Sequence, residues 1–215
     1  MKNRNKNRIY NLDRPIIAIT GGVSSGKSLL CQRLKELNYF VLKADDLVKE
    51  IYHQDETKNF ISTLAPQCLE NDKIQFPVLR KLFFEDQTIK QKIEEYIYSK
   101  LEKTFLNSYG HISQFTHNKY FFYEIPLLFE KKLQDKFDFI ILIYTTKENQ
   151  INRTIQRDKV DREIVENIMA NQINTEEKKI LSHYLIENNG TIDDLYKKID
   201  QLCLNLKNTF STSAI

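Results

Sequence analysis

Pro15-Ile-Ile-Ala-Ile-Thr20-Gly21-Gly22-Val23-Ser24-Ser25-Gly26-Lys27-Ser28 is the stretch on which the reading of this 215-residue chain turns. Pro15 to Thr20 is a short apolar run of the kind that forms a buried parallel strand. The eight residues from Gly21 satisfy the pattern GxxxxGK[ST] in full. Glycines let the backbone turn tightly enough for several N–H groups to converge on phosphate oxygens. A helical pattern with Leu30, Leu34 and Leu37 follows, so the positive end of a helix dipole meets the same spot. The expected phosphate cradle is Gly21, Gly22, Ser24, Ser25, Gly26, Lys27, Ser28 and Leu29. Lys27 is expected to reach the β and γ phosphates of ATP, and the Ser28 hydroxyl to ligate Mg2+. The bland alternative is an accidental glycine-rich turn; the strand before it and the helix after it argue against that.

Working outward, Tyr39 to Leu42 reads as a second short strand, ending in Lys43-Ala44-Asp45-Asp46, and Leu47, Val48 and Ile51 suggest a helix after it. Residues from about 55 to 117 hold no convincing strand. Ile89, Ile93, Ile97, Leu101 and Phe105 recur every fourth residue, and Leu79, Leu82 and Phe83 mark another helical face, which together describe a helical insertion beside a sheet. Strands return at Tyr120–Glu124 and Phe137–Tyr144, helical patterns fill roughly 148–157 and 161–178, and His183–Glu187 is a fifth strand before Asn188-Asn189-Gly190. A last helix carries Ile192, Leu195, Ile199, Leu202 and Leu206 on one stripe. Strands alternating with helices predict an α/β fold: a parallel-sheet P-loop NTPase core with helices on both faces and a helical insertion lobe. The expected organisation is one domain over 15–208. Its core covers about 15–54 and 118–208, its insertion about 55–117 and a lid about 150–175, after a basic extension over 1–14.

Composition bounds the partners. Hydrophobic content of 41% and charged content of 28% suit a soluble globular protein, and no apolar run approaches the ~18–20 residues a membrane helix needs. With no apolar leader at the N-terminus, the expected address is the cytoplasm, without membrane contact. The net charge of +3 is local: residues 1–14 carry Lys2, Arg4, Lys6, Arg8 and Arg14 against Asp13, leaving the rest at −1. A basic arm can bind nucleic acid, but a solvated extension is the favoured reading, so no nucleic-acid partner is expected. Cys31, Cys68 and Cys203 are far apart, without zinc or CxxC spacing, and read as buried thiols in a reducing compartment. The four histidines are equally scattered.

A phosphate loop serves GTPases, ATPases and kinases alike, so other residues must decide. The base-reading NKxD of a Ras-like GTPase fails at Asn118-Lys119-Tyr120-Phe121. A small phosphotransferase needs a carboxylate near the acceptor hydroxyl and arginines over the phosphates. Asp45 lies just beyond strand two, at the carboxyl edge where open α/β sheets bind ligands. It can take the proton of an attacking hydroxyl or help hold the metal; Asp46 is its neighbour, and helix capping is the bland role for either. Arg153 and Arg157, four apart, share a helix face, and Arg162 follows. They suit a lid that closes on the triphosphate, or else form a solvated helix face.

Several stretches together resemble the dephospho-CoA kinase family. Ile19-Thr20-Gly-Gly-Val-Ser-Ser-Gly-Lys-Ser28 is similar to its opening, and Ala44-Asp45 falls where it has Asp-Ala-Asp. Tyr123-Glu-Ile-Pro-Leu-Leu-Phe-Glu130 resembles its D-I-P-L-L-F-E segment, and Gln150 to Asp158 its arginine-bearing lid helix. Met169 to Gln172 and Tyr184 to Gly190 match its closing segments, so the likeness spans about 15–205. The resemblance implies transfer of the ATP γ-phosphate to the ribose 3′-hydroxyl of dephospho-CoA, by a monomer or weak oligomer. It implies Asp45 as the catalytic carboxylate, with Lys27, Arg153 and Arg157 acting on phosphate. Asp45, Glu124, Leu127 and Leu128 would meet the acceptor, the helical insertion would be the acceptor-binding lobe, and Asn188 and Gly190 would lie near adenine. The chain departs from the family pattern at Lys43 (for Asp), Glu124 (for Asp), Phe76 (for Arg) and Tyr98-Ser99 (for His-Pro). These departures leave the phosphate loop untouched. They keep two other readings in view: a kinase of another nucleotide or nucleoside, and an ATP-binding regulatory protein impaired in catalysis.

Overall fold

The computed structural model describes residues 7–113 and 118–211. Lys2, Arg4, Lys6 and His117 lie outside them. The backbone separates into two units, Met1–Lys43 with Thr116–Ile215, and Ala44–Phe115.

In the first unit the short apolar runs become strands β1 (Ile16–Thr20) and β2 (Val41–Lys43). In the second unit and beyond it, β3 (Leu69–Glu70), β4 (Lys73–Ile74), β5 (Phe121–Glu124), β6 (Phe139–Tyr144) and β7 (Tyr184–Glu187) follow in chain order. Five of them form one sheet of order β2-β5-β1-β6-β7, parallel at every pairing. All strands therefore deliver their following loops to one edge. The central β1 is buried at every residue, which is why it reads as a continuous apolar run rather than an alternation. On one face Ile17, Ile19, Phe122, Ile141 and Ile143 pack against Leu30, Cys31 and Leu34 of α1 (Lys27–Glu36). Leu195, Ile199, Leu202 and Leu206 of the C-terminal helix (Ile192–Ser211) complete that layer, four residues of the stripe expected from their spacing. The opposite face is also closed, since Ile16, Ala18, Ile140 and Leu142 are buried.

The second unit holds α2 (Ala44–His53), α3 (Asp55–Leu64), α4 (Phe76–Glu85) and α5 (Gln87–Ser113). Ile51, Ile61, Leu79, Ile93 and Ile97 form its core. Asp86 divides α4 from α5 by accepting the Thr88 and Ile89 N–H groups, both at 2.9 Å, as an N-cap does. The expectation of no strand in this region is corrected: β3 and β4 pair antiparallel. They are too short to show a period, but Asn71 (φ 50°) and Asp72 (φ 59°) both adopt positive φ, the requirement of a two-residue hairpin turn.

Back in the first unit, α6 (Lys147–Asp158) is followed by two helices where one pattern was expected over 161–178: α7 (Arg162–Ala170) and α8 (Thr175–Ile180). Asn174 makes the break, its side chain capping α8 through the Glu177 N–H at 2.8 Å. With α9 (Ile192–Ser211) the α-helices among the described residues are complete. None of those helices is long and apolar enough to cross a membrane.

The solvated basic extension is also corrected at Arg8. Its guanidinium forks onto Asp138, with Nε 2.7 Å and Nη2 2.8 Å from the carboxylate oxygens, and both side chains are only 9% exposed. Nη1 donates to the Asp13 carbonyl at 2.9 Å, and Asp138 also accepts the Ile16 N–H at 2.9 Å. Arg8 thus closes the start of β1, at the edge opposite the phosphate loop. The three cysteines are free and buried.

Candidate active site

The loop after β1 turns over itself before α1 begins. Gly26, the residue preceding α1, has φ 112°, which side chains rarely adopt, and a Cβ there would meet Asn188 Nδ2 at 2.3 Å. A Cβ on Gly21 would meet the Ile143 carbonyl at 2.2 Å. These two positions accept only glycine, for conformation at one and for space at both. No side chain caps the start of α1. Ser28 stands exposed in that first turn, while Lys27 curls back so that Nζ donates to the Gly21 carbonyl at 2.8 Å and the Gly22 carbonyl at 2.9 Å. Ser25 is fully buried and its hydroxyl has no hydrogen-bond partner, so Ser25 can serve a phosphate only through its backbone.

The loop is held from behind by side chains of which only Asn188 was expected near the nucleotide, and not in this supporting role. Gln150 Nε2 donates to the Val23 carbonyl at 3.1 Å, and the Val23 N–H donates to Gln172 Oε1 at 3.3 Å. Thr154 Oγ1 donates to Ser24 Oγ at 2.8 Å, and Asn188 Nδ2 donates to the Ser25 carbonyl at 2.8 Å. Each donor or acceptor comes from an element distant in the chain, which is why no local pattern announces it.

Of the two lid arginines, Arg153 donates Nη2 to the Asn188 carbonyl at 3.0 Å and lines a cavity of about 220 Å3 with Ser24, Gly26, Leu29, Asn188 and Gly190. Arg157 forks onto the neighbouring Asp158, at 2.7 Å from each oxygen, and this pairing holds the Asp158 carboxyl below its usual range. Arg162 is tied to Glu148 and Glu166 on the surface. The three cations expected on one lid are therefore all engaged with protein groups, and only Arg153 meets the phosphate-loop cavity.

At the same edge, Glu124 ends β5 and Lys43 ends β2, and they are direct partners in register. Glu124 is 7% exposed and also pairs with Ile19, so its side chain faces α1. The Cys31 thiol reports this surrounding: burial first, and Glu124 second, push it up to about 12, against the opposing pull of Lys43, Lys35 and Lys27. Past Glu124 the loop exposes Leu127 and buries Leu128 completely. Of the two leucines expected to meet an acceptor, Leu127 is accessible and Leu128 is enclosed. Asp45 belongs to the second unit, exposed in the first turn of α2, two residues past the end of β2. Asp46 is beside Lys49 at 3.8 Å.

The donors near the loop suit Mg2+. Ser28 offers a hard oxygen, and the described residues contain no cluster of three or more His, Cys, Asp or Glu able to hold a metal alone. Mg2+ characteristically takes few protein ligands and completes its shell with phosphate oxygens and water.

A phosphate loop between a central parallel strand and its helix, at the carboxyl edge of a five-stranded sheet, defines a P-loop kinase fold. The family model for dephospho-CoA kinase matches residues 15–194, and the chain belongs to that family. The dephospho-CoA kinase of Fusobacterium nucleatum is 33% identical over 190 residues, covering 87% of this chain and 96% of its own. Among solved structures, the Thermus thermophilus protein TT1252 superposes with a TM-score of 0.78 at 25% identity, covering 90% of this chain and 98% of its own. The dephospho-CoA kinase from Campylobacter jejuni does so with 0.68 at 25% identity over the same shares.

Proposed function

We propose that this protein transfers the γ-phosphoryl group of ATP to the ribose 3′-hydroxyl of dephospho-CoA. The observation that carries this reading is the intact loop Gly21–Ser28 on a chain that matches the dephospho-CoA kinase family over 15–194. Backbone N–H groups of the loop and the first turn of α1 hold the phosphates, and Lys27 leaves the Gly21 and Gly22 carbonyls for the phosphate oxygens. Ser28 holds Mg2+, which when bound offsets phosphate charge. Asp45 accepts the proton of the attacking hydroxyl as its oxygen bonds to the γ-phosphorus and ADP departs. Arg153 acts on phosphate, and Arg157 joins it by exchanging Asp158 for the nucleotide. Asn188 and Gly190 lie against adenine, supported by the cavity they share with Arg153 and Leu29. The helical insertion over about 55–117 serves as the acceptor-binding lobe, Glu124, Leu127 and Leu128 are acceptor-side residues, and residues 150–175 serve as the lid.

A second reading, phosphorylation of another nucleotide or nucleoside, draws on one observation. Phe76, 41% exposed, stands where the family resemblance expects arginine, and it meets Tyr52 edge-on with ring centroids 5.4 Å apart. The test is to incubate the protein with MgATP and a panel of dephospho-CoA, nucleoside monophosphates and nucleosides, measuring ADP and phosphorylated product. Product from dephospho-CoA is the expected result. Turnover confined to another acceptor supports the second reading, and ATP binding without any turnover marks a regulatory protein.

A further inference from the structure

Lys178, in α8, is 2% exposed, yet its Nζ lies 2.7 Å from Glu130 Oε1 and makes no hydrogen bond. Glu130, its side chain 13% exposed, also leaves Oε2 buried without a hydrogen-bond partner. Such a pair is poor value for stability, because desolvating two charges offsets most of their attraction and the remaining valences are unused. Something other than stability has to account for its placement. Glu130 Oε1 accepts one further bond, from the Ile173 N–H at 3.0 Å. Ile173 sits in the link between α7 and α8, and the residue before it, Gln172, accepts the N–H of Val23 in the phosphate loop at 3.3 Å. Gly22, Gln172, Ile173 and Lys178 all line one cavity of about 630 Å3, so the connection from ion pair to loop runs along a continuous wall.

We infer that Glu130 and Lys178 form a buried positioning device. They pin the Ile173 N–H so that Gln172 holds Val23, and with it the Gly22–Ser24 turn, in the geometry that receives phosphate. Gln150 completes the clamp by donating to the carbonyl of the same Val23, so both backbone polar groups of one loop residue are held by glutamine side chains. Gln172, Glu130 and Lys178 are positioning residues, none of them in contact with reacting atoms. The consequence for turnover rests on the ATP-dependent reading above, whereas the clamp itself is a property of the nucleotide-free protein.

The test reads amide hydrogen exchange at Val23 and ATP affinity, both without any acceptor. Gln172→Met removes the acceptor oxygen at similar size, and is expected to speed Val23 exchange and weaken ATP binding by about tenfold each, the order of one lost hydrogen bond. Gln172→Glu keeps an acceptor oxygen and is expected to retain Val23 protection. Single removal of Glu130 or Lys178 leaves a lone buried charge and risks unfolding, so the informative variant is the double Glu130→Met, Lys178→Met, which refills the site with apolar groups. It is expected to melt near the parent temperature while reproducing the Val23 exchange and ATP affinity of Gln172→Met. Unchanged Val23 exchange in Gln172→Met overturns the clamp. A double variant that is folded with parental Val23 exchange overturns the link from the ion pair to the loop. Neither outcome depends on which alcohol the enzyme phosphorylates.

Discussion

The sheet unit and the helical unit Ala44–Phe115 use their polar side chains differently. Around the phosphate loop, Gln150, Thr154, Gln172 and Asn188 turn inward onto backbone or hydroxyl groups of the loop, and Arg8 and Asp138 are sealed at the opposite edge. In the helical unit the charges lie outside. Lys58 bridges Asp55 and Asp72, and Lys100 meets Glu56, in each case with an exposed carboxylate. Aromatic rings pack there instead, with Tyr52 against Phe76 and Phe60 stacked on Tyr96 at 4.1 Å. Its Tyr52 hydroxyl is pushed up to about 12, by burial first and by nearby Glu94 second. One unit is thus preorganised by buried polar bonds, where each loss is costly. The other is held by apolar packing and can change its surface cheaply.

The largest expected effect lies in phosphoryl transfer. Lys27→Ala and Asp45→Asn should each lower turnover at least ~100-fold in a coupled ADP assay, since charge-stabilising and general-base groups contribute that much. A near-normal rate in Asp45→Asn would falsify its role as base. Next comes the sealed ion pair. Arg8→Ala strands Asp138 and should destabilise the protein by about 3–5 kcal/mol in urea unfolding, with turnover of the folded enzyme unchanged. Gly26→Ala, forced to a left-handed φ against Asn188, should cost more than about 1 kcal/mol and weaken ATP binding measured by calorimetry. In the helical unit the effect should move to the acceptor alone. Phe76→Arg should change the KM for dephospho-CoA several-fold while leaving the KM for ATP as it was; a shift in the ATP value would break the division of labour. The smallest expectation is Lys100→Met, whose exposed pairing with Glu56 should leave the melting temperature unmoved.

Much of this was open to inspection in the chain. The five sheet strands follow from apolar runs of four to six residues or from a short run before a polar turn, because a strand covered on both faces needs no alternation. The helices follow from leucines and isoleucines at three- and four-residue intervals. The phosphate loop is legible because its demands are local: Gly26 must bear a positive φ, and Lys27 and Ser28 must follow it at the helix start. The misses share one cause. The hairpin at Asn71-Asp72 and the helix break at Asn174 depend on single side chains and dihedral angles too short-ranged for periodicity to register. Arg8 looked like a solvated charge because Asp138 lies 130 positions away.

The sequence alone was enough to locate the phosphate loop and its turn, since Gly21–Ser28 are consecutive residues whose backbone geometry is set by glycine. Tertiary structure alone decided how the loop is held. Val23 is gripped by glutamines 127 and 149 positions away, and Lys178 reaches Glu130 through the core. It also set Lys43 beside Glu124, so two departures from the family pattern occupy neighbouring strands. A hydrogen bond or ion pair between remote segments has no period and no motif, and it comes into being only when the apolar core brings those segments into register.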